Sequence, residues 1–284
     1  MLFLTKLQQH SLTVPQKTAI EYLLPDRIET VTYGQLEKTV QQTIAYLQSL
    51  GVQPGDRVAL QLPKCLPFIY LHLAIMRLGA ITLPLNPGYP AAELSYFLKD
   101  SGTSLFFADV AAQEKLAPLL AELPSLKTVI YLQTEEPEHF AELIAAGAAA
   151  DPPELPADPD LTALFIYTSG TTGRPKGAQI THGNLTANLD SLHKAWGWRE
   201  DDILLHVLPI FHVHGLVVAL HGALHGGATA VLLPKFTPEQ ALTTMVDKQC
   251  TVFMAVPTIH KRLVDYPGAG QFDLSHMRLL TSGS

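Results

Sequence analysis

Eleven residues set the terms for this chain. Tyr167 to Gly177 read YTSGTTGRPKG, with three glycines, four hydroxyl residues between Thr168 and Thr172, and a closing Arg174-Pro175-Lys176. An apolar run from Leu161 leads in, and a shorter one, Ala178 to Thr181, leads out. A glycine- and hydroxyl-rich turn between two predicted strands, closed by fixed cations, has the composition of a phosphate cradle. Glycine lets backbone N–H groups approach an anion closely. Successive N–H groups form an anion-binding nest, and Ser and Thr hydroxyls add donors. Spacing excludes the P-loop of kinases and GTPases, which needs Gly, four residues, then Gly-Lys followed by Ser or Thr. Here Pro175 stands five residues after Gly170, and Lys176 is followed by Gly177.

Around this turn the pattern alternates between strand and helix. Thr32-Tyr33-Gly34-Gln35 reads as a capping box. Leu36, Val40, Ile44, Leu47 and Leu50 then keep helical spacing up to Gly51. Strands are predicted at 57–62, 80–85, 104–108 and 129–132, with helices at 66–78, 93–99 and 114–123 between them. After the turn, strands at 163–167, 178–181, 203–207, 229–233, 251–256 and 278–281 alternate with helices at 182–195, 215–224, 257–264 and one opened by Thr237 with Gln240 three residues on. This is the signature of an α/β protein with mostly parallel sheets. Residues 147–160, GAAADPPELPADPD, carry four prolines and four acidic groups. The expected organisation is a first α/β subdomain at 1–150, a linker at 151–160, and a second subdomain with the phosphate loop at 161–284. A strand running into Ser282-Gly283-Ser284 at the chain's end is expected to stop short of a complete domain.

Composition closes off several functions. The chain has 284 residues, 47% hydrophobic and 16% charged, with net charge −7. It lacks the basic footprint of a nucleic-acid or membrane-surface binder. Ile203 to Pro234 contains no Asp, Glu, Lys or Arg. Its five histidines, four glycines and Pro209 break it into strand, turn, helix and strand, so it reads as a buried centre rather than a transmembrane helix. Cys65 and Cys250 read as buried small hydrophobes in a reducing compartment, which gives a cytoplasmic expectation. The start, MLFLTKLQQH, lacks a small-residue cleavage site and reads as no signal peptide.

The YTSGTTGRPKG loop resembles the signature loop of the AMP-forming, adenylate-forming enzymes: acyl-CoA synthetases, luciferases and peptide-synthetase adenylation domains. Other segments resemble the same family in the right order. They are TYGQL at 32–36, GDRVA at 55–59, Gly79-Ala80 leading to PLNP at 84–87, HGNL at 182–185, and LPIFHVHGL at 208–216. The resemblance covers the chain from about residue 30 onward. It implies two stacked α/β subdomains, the N-terminal domain of the adenylate-forming fold, truncated. It also implies a two-step activity. A carboxylate attacks the α-phosphorus of ATP to give an acyl-adenylate and pyrophosphate, and the thiol of coenzyme A then takes the acyl group. The alternatives are a domain loading a carrier protein, or a non-catalytic nucleotide-binding module.

Residue by residue, the resemblance assigns Thr168, Ser169, Gly170, Thr171, Thr172, Gly173, Arg174 and Lys176 to phosphate contact. The Thr168 hydroxyl is assigned to the Mg2+ side, and Lys176 to the β- and γ-phosphates. Ser282, Gly283 and Ser284 fall at the start of the adenine-contacting turn. His212 matches the position beside the acyl-phosphate junction, without an implied proton transfer. The family's magnesium Glu, ribose Asp and C-terminal catalytic Lys would lie beyond residue 284. LPIFHVHGL resembles malonyl-CoA synthetases and nearby acyl-CoA synthetases, so the expected acid is malonate-like or fatty. A dicarboxylate would need a pocket cation; Arg262 and Arg278 are candidates, although a solvated helix face and a strand-end surface charge describe them better. A fatty acid would need an apolar channel, for which Val213, Leu216, Val217 and Val256 are available. His221 and His225, four apart on a predicted helix, have zinc-compatible spacing but no Cys or carboxylate close in sequence. With His206 they read as partly buried histidines bonded to backbone. The oligomeric state is left open.

Overall fold

The computed structural model describes residues 1–120, 123, 126–145, 147, 153–168 and 174–283. The chain splits into two compact units, one made of Phe3–Leu36 with Thr186–Ser284, the other of Glu37–Leu185. Each is built on a mixed, mostly parallel six-stranded sheet.

In the second unit the order is β6-β5-β3-β4-β7-β8. The strands are β3 (Arg57–Gln61), β4 (Ile81–Pro84), β5 (Leu105–Asp109), β6 (Thr128–Leu132), β7 (Thr162–Thr168) and β8 (Lys176–Thr181). Between them run α3 (Leu66–Arg77), α4 (Ala91–Ser101), α5 (Gln113–Leu120) and α6 (Pro137–Ala145). All twelve residues of α3 are buried, including His72 and Arg77. A helix apolar all round belongs in a core. Its two polar members have partners: Arg77 pairs with Glu37 at 2.7 Å, and His72 Nδ1 meets Thr82 Oγ1 at 3.1 Å.

In the first unit the order is β12-β11-β9-β10-β1-β2. The strands are β1 (Thr18–Leu23), β2 (Ile28–Thr32), β9 (Ile203–His206), β10 (Thr229–Leu232), β11 (Val252–Ala255) and β12 (Leu279–Ser282). The helices are α1 (Phe3–Thr13), a π-helix (His214–His221), α8 (Gly222–His225), α9 (Pro238–Asp247) and α10 (Pro257–Val264). The chain passes between units within α2 (Tyr33–Ser49) and α7 (His182–Trp196). The capping box at the start of α2 is formed: Gln35 N donates to Thr32 Oγ1 at 3.2 Å, and Thr32 N donates to Gln35 Oε1 at 2.8 Å. Thr181 and Asn184 make the same reciprocal pair at α7, which explains the Asn of HGNL structurally.

Both sheets share one wiring. A first strand (β3 or β9) has its successor on one side and the third strand of the series on the other. An antiparallel hairpin from elsewhere in the chain then covers the free side of the second strand: β7–β8 beside β4, and β1–β2 beside β10. This corrects the expected boundaries. The division does not run 1–150, linker, 161–284. The hairpin after residue 160 completes the sheet of the preceding segment, and the N-terminal hairpin completes the later one. The reason is pairing: β4 and β10 are buried strands whose backbone groups need partners on both sides. Of the expected linker, 151 and 152 lie outside the described residues; 153–160 contain neither helix nor strand.

The charge-free segment 203–234 forms β9, the π-helix, α8 and β10, the buried centre of its unit. No helix among the described residues is long and apolar enough to cross a membrane. Its histidines are accommodated individually. His206 Nε2 donates to Gly215 O at 2.8 Å. His221 stacks on Phe3 with ring centroids 4.5 Å apart. His225 Nε2 meets Asp190 Oδ1 at 2.8 Å, a carboxylate rather than the expected backbone group. Among the described residues no cluster of three or more His, Cys, Asp or Glu could hold a metal ion.

Burial holds His225 neutral, pushed down to about 4 against the pull of Asp190, and holds His72 down to about 3, with His182 adding to the effect. Unfolding returns both to about 6.5, so the unfolded chain binds more protons below that pH. Their contribution is complete above pH 6.5 and is lost as pH falls toward 4 and 3. His225 alone accounts for roughly 3 kcal/mol across its window. Urea midpoints are expected to fall steadily from pH 7 to about pH 5.5, above the range where ordinary carboxylates titrate. A flat profile there would show that these rings are solvated in the native state.

Candidate active site

The loop's two ends are placed by α4. Tyr167, the last residue but one of β7, lays its ring 4.5 Å from Phe97, and its hydroxyl donates to Asp100 Oδ2 at 2.7 Å. Burial, and then Asp100, raise the phenol well above its ordinary range, so it stays a donor. On the far side of the loop, Tyr96 OH donates to Pro175 O at 2.9 Å, and the Arg174 guanidinium lies 5.9 Å over the Tyr96 ring. Tyr96 and Asp100, one helical turn apart, therefore fix both stems of the loop. Neither was singled out by sequence; a Tyr and an Asp four apart on the helix face are the only local signal.

Thr168 lies directly opposite Lys176 in the antiparallel ladder, and Tyr167 opposite Gly177. Opposed residues project from the same face and successive ones from opposite faces. The Thr168 hydroxyl and the Lys176 ammonium thus share one face, both exposed, while Tyr167 and Phe165 hold the other against α4. Gly177 has a structural reason. A Cβ there would come within 1.8 Å of Phe165 Cε1, so only glycine lets that ring pass. The assigned residues Ser169, Gly170, Thr171, Thr172 and Gly173 lie outside the described residues, as does Ser284.

In the other unit the candidates gather at the carboxyl ends of β9, β11 and β12, which are neighbours. The strand order reverses at β9, and in open α/β sheets ligands bind outside the carboxyl ends at such a switch point. His206 ends β9, and the turn that follows carries Phe211 and His212 with ring centroids 4.5 Å apart. His212 is exposed, and partial desolvation lowers its basicity. The turn closes tightly: a Cβ on Gly215 would sit 2.0 Å from Pro209 O, and His206 clamps the Gly215 carbonyl from the core side. The helix that follows is π-type over His214–His221, where the sequence suggested an ordinary helix at 215–224. Single π turns are common at functional sites. Leu216 and Val217 are buried in the core, whereas Val213 is 39% exposed.

Ser282 and Gly283 stand at the end of β12, with Gly283 N donating to Ala255 O at 3.2 Å. Two further histidines reach this end. His260 Nε2 donates to Thr281 O at 2.8 Å, and the Gly283 backbone raises the basicity of the His214 ring against its burial. Neither was singled out as a site residue; each occupies the first turn of a helix that follows a strand of this sheet. Arg278 is placed elsewhere. It precedes β12, at the amino ends of the strands, and grips Asp202. Arg262 is exposed on α10, 4.8 Å over the Phe236 ring. Arg278 is thereby removed as a pocket cation.

The AMP-binding enzyme family model matches residues 7–284. The chain is 38% identical over 238 residues to the mitochondrial malonate–CoA ligase of Mus musculus, a match covering 79% of this chain and 38% of that protein. Its structure is similar to ATP-bound MatB from Rhodopseudomonas palustris, with a TM-score of 0.87 and 33% identity over 100% of this chain and 55% of that one. It is also similar to the inhibitor-bound N-terminal domain of FACL13 from Mycobacterium tuberculosis, with a TM-score of 0.88 and 27% identity over 99% of this chain and 69% of that one. The chain spans roughly half or less of the full-length relatives it matches. Its fold is that of the N-terminal domain of adenylate-forming enzymes. Matched by the family model over nearly its whole length, the chain belongs to the AMP-binding enzymes.

Proposed function

We propose that the protein containing this chain activates a carboxylic acid with ATP to an acyl-adenylate and passes the acyl group to coenzyme A. The observation that carries this is the base of the loop: a hydroxyl and an ammonium group, Thr168 and Lys176, opposed across one ladder and both exposed. That donor pair suits a polyphosphate. Lys176 would hold the β- and γ-phosphates, Thr168 would hold Mg2+ through its hydroxyl, and the metal would neutralise phosphate charge. Ser282 and Gly283 would contact the nucleotide base at the carboxyl end of β12, and His212 would border the acyl group. Negative charge grows on the leaving pyrophosphate during attack, so fixed donors there lower the barrier.

Malonate is the first acid to test, because the mouse relative and the proteins around it are malonate ligases by name. Since Arg278 is committed to Asp202, the second carboxylate would be met by another group. The two free, buried cysteines fit a reducing cytoplasm. The test is carboxylate-dependent exchange of labelled pyrophosphate into ATP, run with malonate, short acids and fatty acids. It uses the longest natural product containing residues 1–284, with 1–284 alone beside it and expected to be inactive. No exchange with any acid in the longer product would refute the reading.

A further inference from the structure

Ser282 is bracketed by two imidazoles from different elements. Before it, the Thr281 carbonyl accepts from His260 Nε2, in the first turn of α10, at 2.8 Å. After it, the Gly283 backbone acts on the ring of His214, the first residue of the π-helix, and raises its basicity against burial. Each helix follows a strand in the same sheet, α10 after β11 and the π-helix after β9. The two rings therefore relate the end of β12 to the helices that follow its neighbour β11 and the next strand in, β9. β12 needs such ties. It is an edge strand, paired only with β11, and Leu280 is 55% exposed on it. Its last residues would otherwise fray, because local opening is easiest where backbone bonds are few and exposed. The His260 ring is itself positioned, edge-on to Phe253 of β11 with ring centroids 5.4 Å apart. With Nε2 as donor, the ring's tautomer is set by the carbonyl it faces.

We propose that His260 is a positioning residue for the nucleotide-contacting turn, with His214 acting from the other side of Ser282: by holding the Thr281 carbonyl, His260 aims Ser282 and Gly283 at the ligand. The proposal rests on the reading that this turn contacts ATP. A group that orients a binding turn without touching the reacting atoms acts on ground state and transition state alike, so its loss raises KM for ATP and spares kcat.

The experiment uses the full-length enzyme and two variants at one position. His260→Phe keeps ring size and the packing on Phe253 but removes the donor. His260→Gln keeps an amide N–H near the Nε2 position. We expect His260→Phe to raise KM for ATP about five- to tenfold, the worth of one neutral hydrogen bond. kcat and the KM for the carboxylate should be unchanged, and His260→Gln should recover most of the loss. His214→Phe should show the same split. An unchanged KM for ATP in folded His260→Phe, with its melting temperature within a few degrees of the parent, overturns the proposal. So does an equal failure of the Phe and Gln variants, or an effect confined to the carboxylate KM. If the parent enzyme itself shows no carboxylate-dependent exchange, the functional reading fails first. If it does and the variants keep their ATP KM, only this inference falls.

Discussion

Replacing Arg278 with methionine is expected to cost about 3–5 kcal/mol of folding stability, the usual consequence of leaving one member of a buried ion pair without its partner. Asp202 is the centre of the arrangement. Its side chain is 1% exposed and takes four hydrogen bonds. Arg278 Nε donates to Oδ1 at 2.6 Å, Arg278 Nη2 donates to Oδ2, the Thr251 hydroxyl donates to Oδ1 at 2.7 Å, and Arg199 N donates to Oδ2 at 2.7 Å. Arg278 Nη1 also donates to Trp196 O at 3.0 Å. Burial alone would push the Asp202 carboxyl up, but Arg278, Thr251 and the Arg199 N–H outweigh it and hold it below the usual range.

The group is a clasp on the amino ends of three adjacent strands: Asp202 precedes β9, Thr251 precedes β11 and Arg278 precedes β12. Methionine fills the volume and leaves a buried carboxylate short of its cation. Equilibrium denaturation should show a large fall in midpoint. Asp202→Asn combined with Arg278→Met should lose less than the two single changes added together, because the charge and its partner leave together. A loss below 1 kcal/mol for Arg278→Met would mean that water replaces the guanidinium, and the clasp would then be a surface pair.

The clasp also shows where sequence reasoning reached and where it stopped. Arg278 reads from the sequence as a strand-end surface charge: its place before β12 is as expected, but it is not a surface charge, since it closes on the buried Asp202. Its partner lies 76 positions away and has no local signature. The same limit explains the boundaries. Period and capping made β3 to β6 and β9 to β12 legible to within a few residues, because strand and helix are local patterns. That β7–β8 completes one sheet and β1–β2 the other depends on pairing between distant segments, which order along the chain does not encode. β1 and β2 passed unread, as did α1 and α6. Buried alternation in TAIEYL is short, and α1 carries polar residues over a face of only Phe3, Leu4, Leu7 and Ser11. In the candidate site, composition and spacing pointed to the loop, and the family resemblance to His212. They did not show that Tyr96 and Asp100 hold its stems, or that His214 and His260 hold the end of β12. Those contacts join helices to strands across the fold. Gly177 illustrates the converse: a glycine read as part of a phosphate loop is needed at that point to let Phe165 through.

Replacing Lys176 with alanine in the full-length enzyme is expected to lower kcat for adenylation by about a hundred- to a thousandfold, the scale for removing one fixed donor from developing transition-state charge. The geometry makes this a clean test. Lys176 is exposed at the first position of β8, so its side chain supports no core, and the substitution should leave the melting temperature nearly unchanged. The hairpin does not depend on it either. The stems are held by Tyr96, Tyr167 and Asp100, and Gly177 remains to seat the Phe165 ring. On the proposed reading, the charge Lys176 would meet is present on ATP before reaction but grows as pyrophosphate leaves, so the loss should fall mainly on kcat and less on the KM for ATP. Lys176→Arg should recover part of the rate, since a guanidinium restores the charge without the compact ammonium geometry. Single-turnover formation of acyl-adenylate separates this step from thiol transfer. If the KM for ATP rises while the adenylation rate stays intact, Lys176 binds the nucleotide without helping it react. The catalytic role would then pass to donors of the loop between Thr168 and Lys176.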